Sequence, residues 1–157
     1  MRQTIVTNLW FDTEAEEAAG FYTSLFEDSR IVAVTRYSEV GPGEPGTVMT
    51  VEFELAGQRF VGINGGPQFP FTEAVSLQID CEDQAEVDYF WERLTDGGEE
   101  SQCGWLKDRY GLSWQVVPAG MEQVLNDPDP ERGKRAMQAM LGMRRIDVAA
   151  LRAAADG

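Results

Sequence analysis

The sequence predicts an α+β chain of two fused βαβββ modules followed by C-terminal helices. Three observations predict it. Ala18, Phe21, Tyr22 and Leu25 form an apolar stripe at i, i+3, i+4 and i+7, and Val87, Phe90, Trp91 and Leu94 repeat the stripe 69 positions later. A period that long marks a duplicated module and not a solenoid repeat. Each stripe is preceded by one strand-like segment and followed by three. Finally, Asp127-Pro128-Asp129-Pro130 makes a stiff acidic break before a tail of different character.

The elements follow in order. Thr4–Phe11 is β-rich and opens on Thr4, Ile5, Val6 and Thr7. Thr13-Glu14-Ala15-Glu16 has the form of a capping box: a Thr hydroxyl accepts from the amide three residues on, and a Glu reaches back. It predicts the start of the first helix. Arg30–Ser38 reads as a strand, and the Gly41-Pro42-Gly43-Glu44-Pro45-Gly46 run as a flexible turn. Thr47–Leu55 alternates, with Met49, Val51, Phe53 and Leu55 on one face and Thr50, Glu52 and Glu54 on the other. Those glutamates read as a solvent or rim face. Ala56-Gly57-Gln58 turns the chain into a strand over Arg59–Asn64, which Gly65-Gly66-Pro67 ends.

The second module restarts with Ala74–Asp80, placing Val75, Leu77 and Ile79 on one face and Ser76, Gln78 and Asp80 on the other. Asp83 is predicted to cap the second helix, with Glu86 three residues on, and Gly97-Gly98 to stop it. Short strands follow near Glu99–Cys103 and Trp105–Asp108, then a Tyr110-Gly111 turn and a strong strand Leu112–Val117 closed by Pro118. In the tail, Glu131–Met143 is helical with Ala136, Met137, Met140 and Leu141 on one edge, and Asp147–Ala155 forms a last short helix. The expected organisation is one domain: module one over residues 1–66, module two over 74–118, and a helical extension over 119–157.

Composition excludes more chemistry than any motif asserts. The 157 residues contain no histidine, the commonest general base and a leading metal ligand. A formal net charge of −14 repels nucleic-acid phosphates and anionic lipid, so neither a nucleic acid nor a membrane is expected as partner. No apolar run approaches the roughly 20 residues of a span, and the N-terminus reads as a strand and not a signal peptide, so a cytoplasmic protein is expected. The two cysteines, Cys81 and Cys103, form no CxxC pair and read as reduced thiols, able to cross-link only if their strands adjoin. No basic neighbour is evident to activate Cys103 as a nucleophile. Lys107-Asp108-Arg109 reads as an ion cluster in a turn.

Several segments together resemble a known family. They are Leu9-Trp10-Phe11-Asp12, Glu16-Glu17-Ala18, Phe21-Tyr22, Thr50–Leu55, Gly62-Ile63-Asn64-Gly65-Gly66-Pro67, Ser76–Ile79, Gly97-Gly98 and Gly104–Pro118. The spacing from Asp108 through Gly111 to Trp114 is the most specific. Over roughly Thr4–Pro118 the chain resembles the PhnB-like branch of the vicinal oxygen chelate superfamily, which includes glyoxalase, bleomycin-resistance proteins and extradiol dioxygenases. PhnB-like sequences are often labelled demethylubiquinone methyltransferase domains. The resemblance implies curved mixed sheets around a cavity and a homodimer, for which the Met-rich tail also offers apolar surface.

The resemblance also implies where ligands fall: on the first strand at Ile5 or Thr7, on the fourth near Asn64, then at Ser76 or Gln78, and on the last strand at Gln115. None is His, Asp or Glu, and neutral amides and hydroxyls bind transition metals poorly. No metal, cofactor or catalytic residue is therefore expected. The glycines of 41–46 and 62–66 are not followed by a helix, which a nucleotide-type cofactor site needs. Trp105, after Gly104 and outside a dense apolar run, is the aromatic expected to line the pocket, while Trp10 and Trp114 read more simply as core. The expected function is binding of a compact, partly apolar molecule by Thr7, Asn64, Ser76, Gln78, Trp105 and Gln115. The alternative is an enzyme on such a molecule, methyltransferase-like or glyoxalase- or dioxygenase-like with a residual metal.

Overall fold

A computed structural model describes Arg2 and residues 4–157. The chain divides between Phe71 and Thr72 into two compact units. The first runs β1 (Thr7–Phe11), α1 (Ala15–Leu25), β2 (Arg30–Arg36), β3 (Val48–Leu55) and β4 (Gln58–Asn64). The second runs β5 (Ser76–Cys81), α2 (Gln84–Thr95), β6 (Glu99–Glu100), β7 (Trp105–Lys107) and β8 (Ser113–Pro118), then α3 (Met121–Leu125), α4 (Pro130–Leu141) and α5 (Val148–Asp156). Each unit thus carries the βαβββ order.

The sheets have one topology. The first is ordered β1-β4-β3-β2 and the second β5-β8-β7-β6. In each, the module's first strand lies parallel to its last and the remaining pairs are antiparallel. This places α+β mixed sheets where the stripe duplication predicted them.

In the first unit, Phe11, Val51, Phe53, Leu55 and Phe60 are buried on the face packed against α1. Tyr22 of α1 meets Phe53, and Phe53 stacks on Phe60 at 5.5 Å between ring centres. Gly62 lets the helix approach: a Cβ there would lie 3.1 Å from that of Ala15. On the opposite face Glu52 pairs with Arg59 at 2.9 Å and Glu54 with Arg30 at 3.2 Å, as a rim face requires. Ala56 and Gly57 both have positive φ and join β3 to β4 as a two-residue hairpin, whose mirror-image twist matches the strands.

The first helix does not start as its sequence suggests. The cap position is Glu14, without a side-chain cap bond, so the Thr13 box does not form. The orphan amide of Ala15 donates instead to Asn64 Oδ1 at 2.8 Å, a contact 49 residues away in sequence. The second helix behaves as predicted. Asp83 accepts from the Glu86 amide at 2.9 Å, and Glu86 reaches back to the Glu82 amide at 2.7 Å.

In the second unit Val87, Trp91 and Leu94 are fully buried against Leu106, Trp114 and Val116. The tail docks on this unit. Cys103 and Gly104 amides donate to the Met143 and Arg144 carbonyls, both at 2.8 Å. Gln84 holds Ile146 O and Val148 N, and Ile146 is completely buried. Met121–Leu125 forms a short helix that the sequence reading missed; at five residues it spans little more than one turn and carries no readable periodicity. The expected strand over Glu99–Cys103 shrinks to two residues, because Cys103 and Gly104 turn with φ of 58° and 85° toward the tail.

Candidate functional site

The second sheet sorts its residues into two faces. The Glu100 carboxylate accepts from Trp91 Nε1 of α2 at 2.8 Å, which fixes the row Glu100–Leu106–Trp114–Leu77 on the helix side. Strand alternation then places two other rows on the opposite face. One is Gln78–Gln115–Trp105; the other is Ser76–Ser113–Lys107–Glu99. Four of the six expected site residues, Ser76, Gln78, Trp105 and Gln115, therefore meet on one surface. Gln115 Nε2 donates to Ser76 Oγ at 2.9 Å, and Gln78 donates to Asp80 at 2.7 Å.

A cavity of about 200 Å³ opens here, lined by Glu73, Glu99, Glu100, Ser101, Trp105, Leu106, Lys107 and Ser113. Lys107 makes an ion pair with Glu73. Lys107 holds the Glu73 carboxyl below its ordinary range by hydrogen bond and charge, and the pair raises Lys107 in turn, with Glu99 adding to it. Ser113 is only 1% exposed, and its hydroxyl has no hydrogen-bond partner.

Two expected residues lie elsewhere. Thr7 pairs with Phe60 and so falls on the α1 side of the first sheet, where Asn8 and not Thr7 belongs to the opposite face. The reason is a one-residue slip. The helix starts Ala15 and Gln84 lie 69 positions apart, but the strand ends Phe11 and Cys81 lie 70 apart. One residue of slip reverses every side chain of a strand. Ile5, the other candidate there, precedes β1, which begins at Thr7 and not at Thr4, and is exposed. Asn64 ends β4, and its side chain is committed within the first unit: besides capping Ala15, it donates to the Val48 carbonyl at 3.1 Å.

Asn64 also lines an open groove of about 900 Å³ in the first unit, with Asp12, Glu14, Glu16, Glu17 and Glu44 facing a single Arg36. The glycines around it serve packing. Gly65 and Gly66 amides donate to the Phe11 and Asp12 carbonyls, and Trp10 Nε1 donates to Gly66 O at 2.9 Å. A Cβ on Gly65 would lie 2.1 Å from the Trp10 ring. Gly43 is likewise required beneath Tyr37, where a Cβ would stand at 2.4 Å. The amides that a methyl-donor cofactor would need are already bonded to the protein's own carbonyls, and the segment after them is a loop. These residues do not fit such a group.

Lys107-Asp108-Arg109 is not an ion cluster. Lys107 turns to Glu73 and Arg109 to Asp96 at 3.5 Å, whereas Asp108 is buried. Its carboxylate accepts from the Tyr110 and Leu112 amides at 2.8 and 3.1 Å and from Trp114 Nε1 at 2.8 Å. This accounts for the spacing Asp108–Gly111–Trp114: the acid organises the turn, Gly111 takes φ of 86°, and the indole closes it. Trp114 is core, and Trp105 is the indole that lines the cavity. Both cysteines are free; burial, with Glu86, Asp80 and Asp83 adding to it, pushes the Cys81 thiol up to about 12.

Paired βαβββ units with these sheets define the vicinal oxygen chelate fold. FosX from Listeria monocytogenes, solved with Mn(II) and sulfate, shares it at 14% identity and TM-score 0.54, over 80% of this chain and 97% of its own. Protein PA1353 from Pseudomonas aeruginosa shares it at 18% identity and TM-score 0.62, over 74% and 98%. Within that class the sequence model of 3-demethylubiquinone-9 3-methyltransferase matches residues 3–117, and the chain belongs to this PhnB-like family. A PhnB protein from Bacillus cereus is 43% identical, with TM-score 0.69, over 74% of this chain and all of its own. No curated protein sequence matches.

Proposed function

We propose that the chain is a metal-free protein that binds a small organic molecule on the face of the second sheet opposite α2. Ser76, Gln78, Gln115 and Trp105 would position the ligand. The observation that carries this reading is the row Gln78–Gln115–Trp105 across three strands, with Gln115 steadied by Ser76. A few fixed polar groups beside an aromatic ring suit a compact, partly apolar ligand.

The metal-free part rests on donor chemistry. The expected ligand positions on this face, Ser76, Gln78 and Gln115, present a hydroxyl and two amides, which give a divalent ion neither charge nor soft donors. Among the described residues no group of three or more His, Cys, Asp or Glu could hold a metal. These residues do not fit a divalent metal. No helix among the described residues is long and apolar enough to cross a membrane.

Metal analysis of the purified protein and calorimetric titration with Mn(II) and with S-adenosylmethionine test this reading. No stoichiometric metal and no saturable heat with either are expected. A tightly bound divalent ion would overturn the metal-free reading, and saturable S-adenosylmethionine binding would favour methyl transfer. We propose further that two copies pair. Edge strand β2 exposes Ile31, Val32 and Val34, and α4 exposes Met137 and Leu141. Light scattering should give twice the chain mass; the mass of one chain would exclude pairing.

A further inference from the structure

We infer that the cavity beside Ser113 takes the ammonium group of a small organic cation; this rests on the binding reading above and names its ligand class. The first observation is the orphan hydroxyl. A buried polar group without a partner is costly, and Ser113 Oγ is such a group on a residue that lines the cavity. It needs a partner that the protein does not supply.

The second observation is the local charge. Lys107 is the cation of the lining, and it stands between Glu73, its ion-pair partner, and Glu99, its cross-strand neighbour. Glu100 also lines the cavity, but its carboxylate is engaged by Trp91 Nε1 and paired with Arg144. One carboxylate more than Lys107 balances therefore remains at the cavity. An anion entering here would meet a lysine already compensated twice; a cation would meet the excess charge.

The third is Trp105, which lines the same space. An indole face attracts ammonium ions through its ring quadrupole. At about 200 Å³ the cavity is below the roughly 300–1,000 Å³ of drug-sized sites, so it suits a head group of a few heavy atoms. The ammonium would donate to Ser113 Oγ and Glu99 and lie against Trp105. The remainder of the molecule would run along Gln115 and Gln78.

Titration of isotope-labelled protein, followed by amide chemical shifts, tests this with three kinds of probe: ethanolamine and methylamine as cations, inorganic phosphate as an anion, and N-methylacetamide as a neutral molecule. The cations should move the Ser113, Lys107 and Gln115 amides saturably, and phosphate should not. Glu99→Gln and Ser113→Ala should each weaken ethanolamine about tenfold, with Lys107→Met strengthening it. Thermal melting confirms that each variant is folded. Saturable shifts with phosphate or N-methylacetamide but not with the cations would overturn the ligand class and leave the binding reading standing. No shift at this face with any probe would overturn both.

Discussion

In the first module the last rung of the parallel ladder is Phe11–Asn64; in the second it is Cys81–Pro118. Aligned from these rungs, Asn8–Val61 stands where Gln78–Gln115 stands. The first module thus places an exposed Asn and an aliphatic where the second places two amides. It also turns Asn64 inward, because α1 has no cap of its own and the Ala15 amide needs an acceptor. The second module has Asp83 for that task and can end its strand on proline. Where local capping suffices, strand side chains are free for a ligand. Where it fails, a strand amide is drawn into holding the helix.

The modules also differ at their outer strands. β2 runs seven residues with every residue exposed, whereas β6 has two residues and the chain beyond it is held by the tail. The family match ends at residue 117, so this support is an addition to the shared plan.

The largest expected effect breaks the second module alone. Asp108→Ala leaves the Tyr110 and Leu112 amides and the Trp114 indole without their acceptor, and should cost about 3 kcal/mol or more in urea denaturation. An unchanged midpoint would remove Asp108 as the organiser of the turn.

The next contrast sets Asn64 against Gln115. Asn64→Ala loses the cap on Ala15 and the bond to Val48, and should destabilise by about 1–2 kcal/mol. Gln115→Ala, which loses one part-buried bond to Ser76, should cost under about 1 kcal/mol. Equal losses would erase the distinction between a structural amide and a ligand-facing one.

The helix caps give a smaller test. Asp83→Ala should cost about 1 kcal/mol, as a working cap does, whereas Thr13→Ala should be close to neutral. Matching losses from the two would restore the Thr13 box.

Smallest is the effect of the buried thiol. With its pKa raised to about 12, Cys81 stays protonated in the folded chain while an unfolded chain releases the proton near 9. Its contribution is therefore intact below about pH 9 and fades as pH rises toward 12. A Cys81→Ala variant should show a weaker loss of stability between pH 8 and 10 than the parent. At neutral pH a thiol reagent should label Cys103 first and Cys81 only on unfolding.

The sequence by itself determined the duplicated βαβββ order, the two helical stripes, the break before the tail and the lack of imidazole. These are local or periodic properties, and the stripes survive because each helix must bury one face. It also determined that Ser76, Gln78 and Gln115 alternate away from Leu77, Ile79, Trp114 and Val116. Only the tertiary structure decided which face Thr7 takes, because one extra residue between β1 and α1 reverses the strand and leaves no periodic trace. It alone decided that Asn64 caps α1, that Asp108 is the buried centre of a turn, and that Ser113 is left without a partner. Each of these depends on contacts between chain segments brought together by the sheets, and hydrogen-bond satisfaction is settled only when every donor has a place.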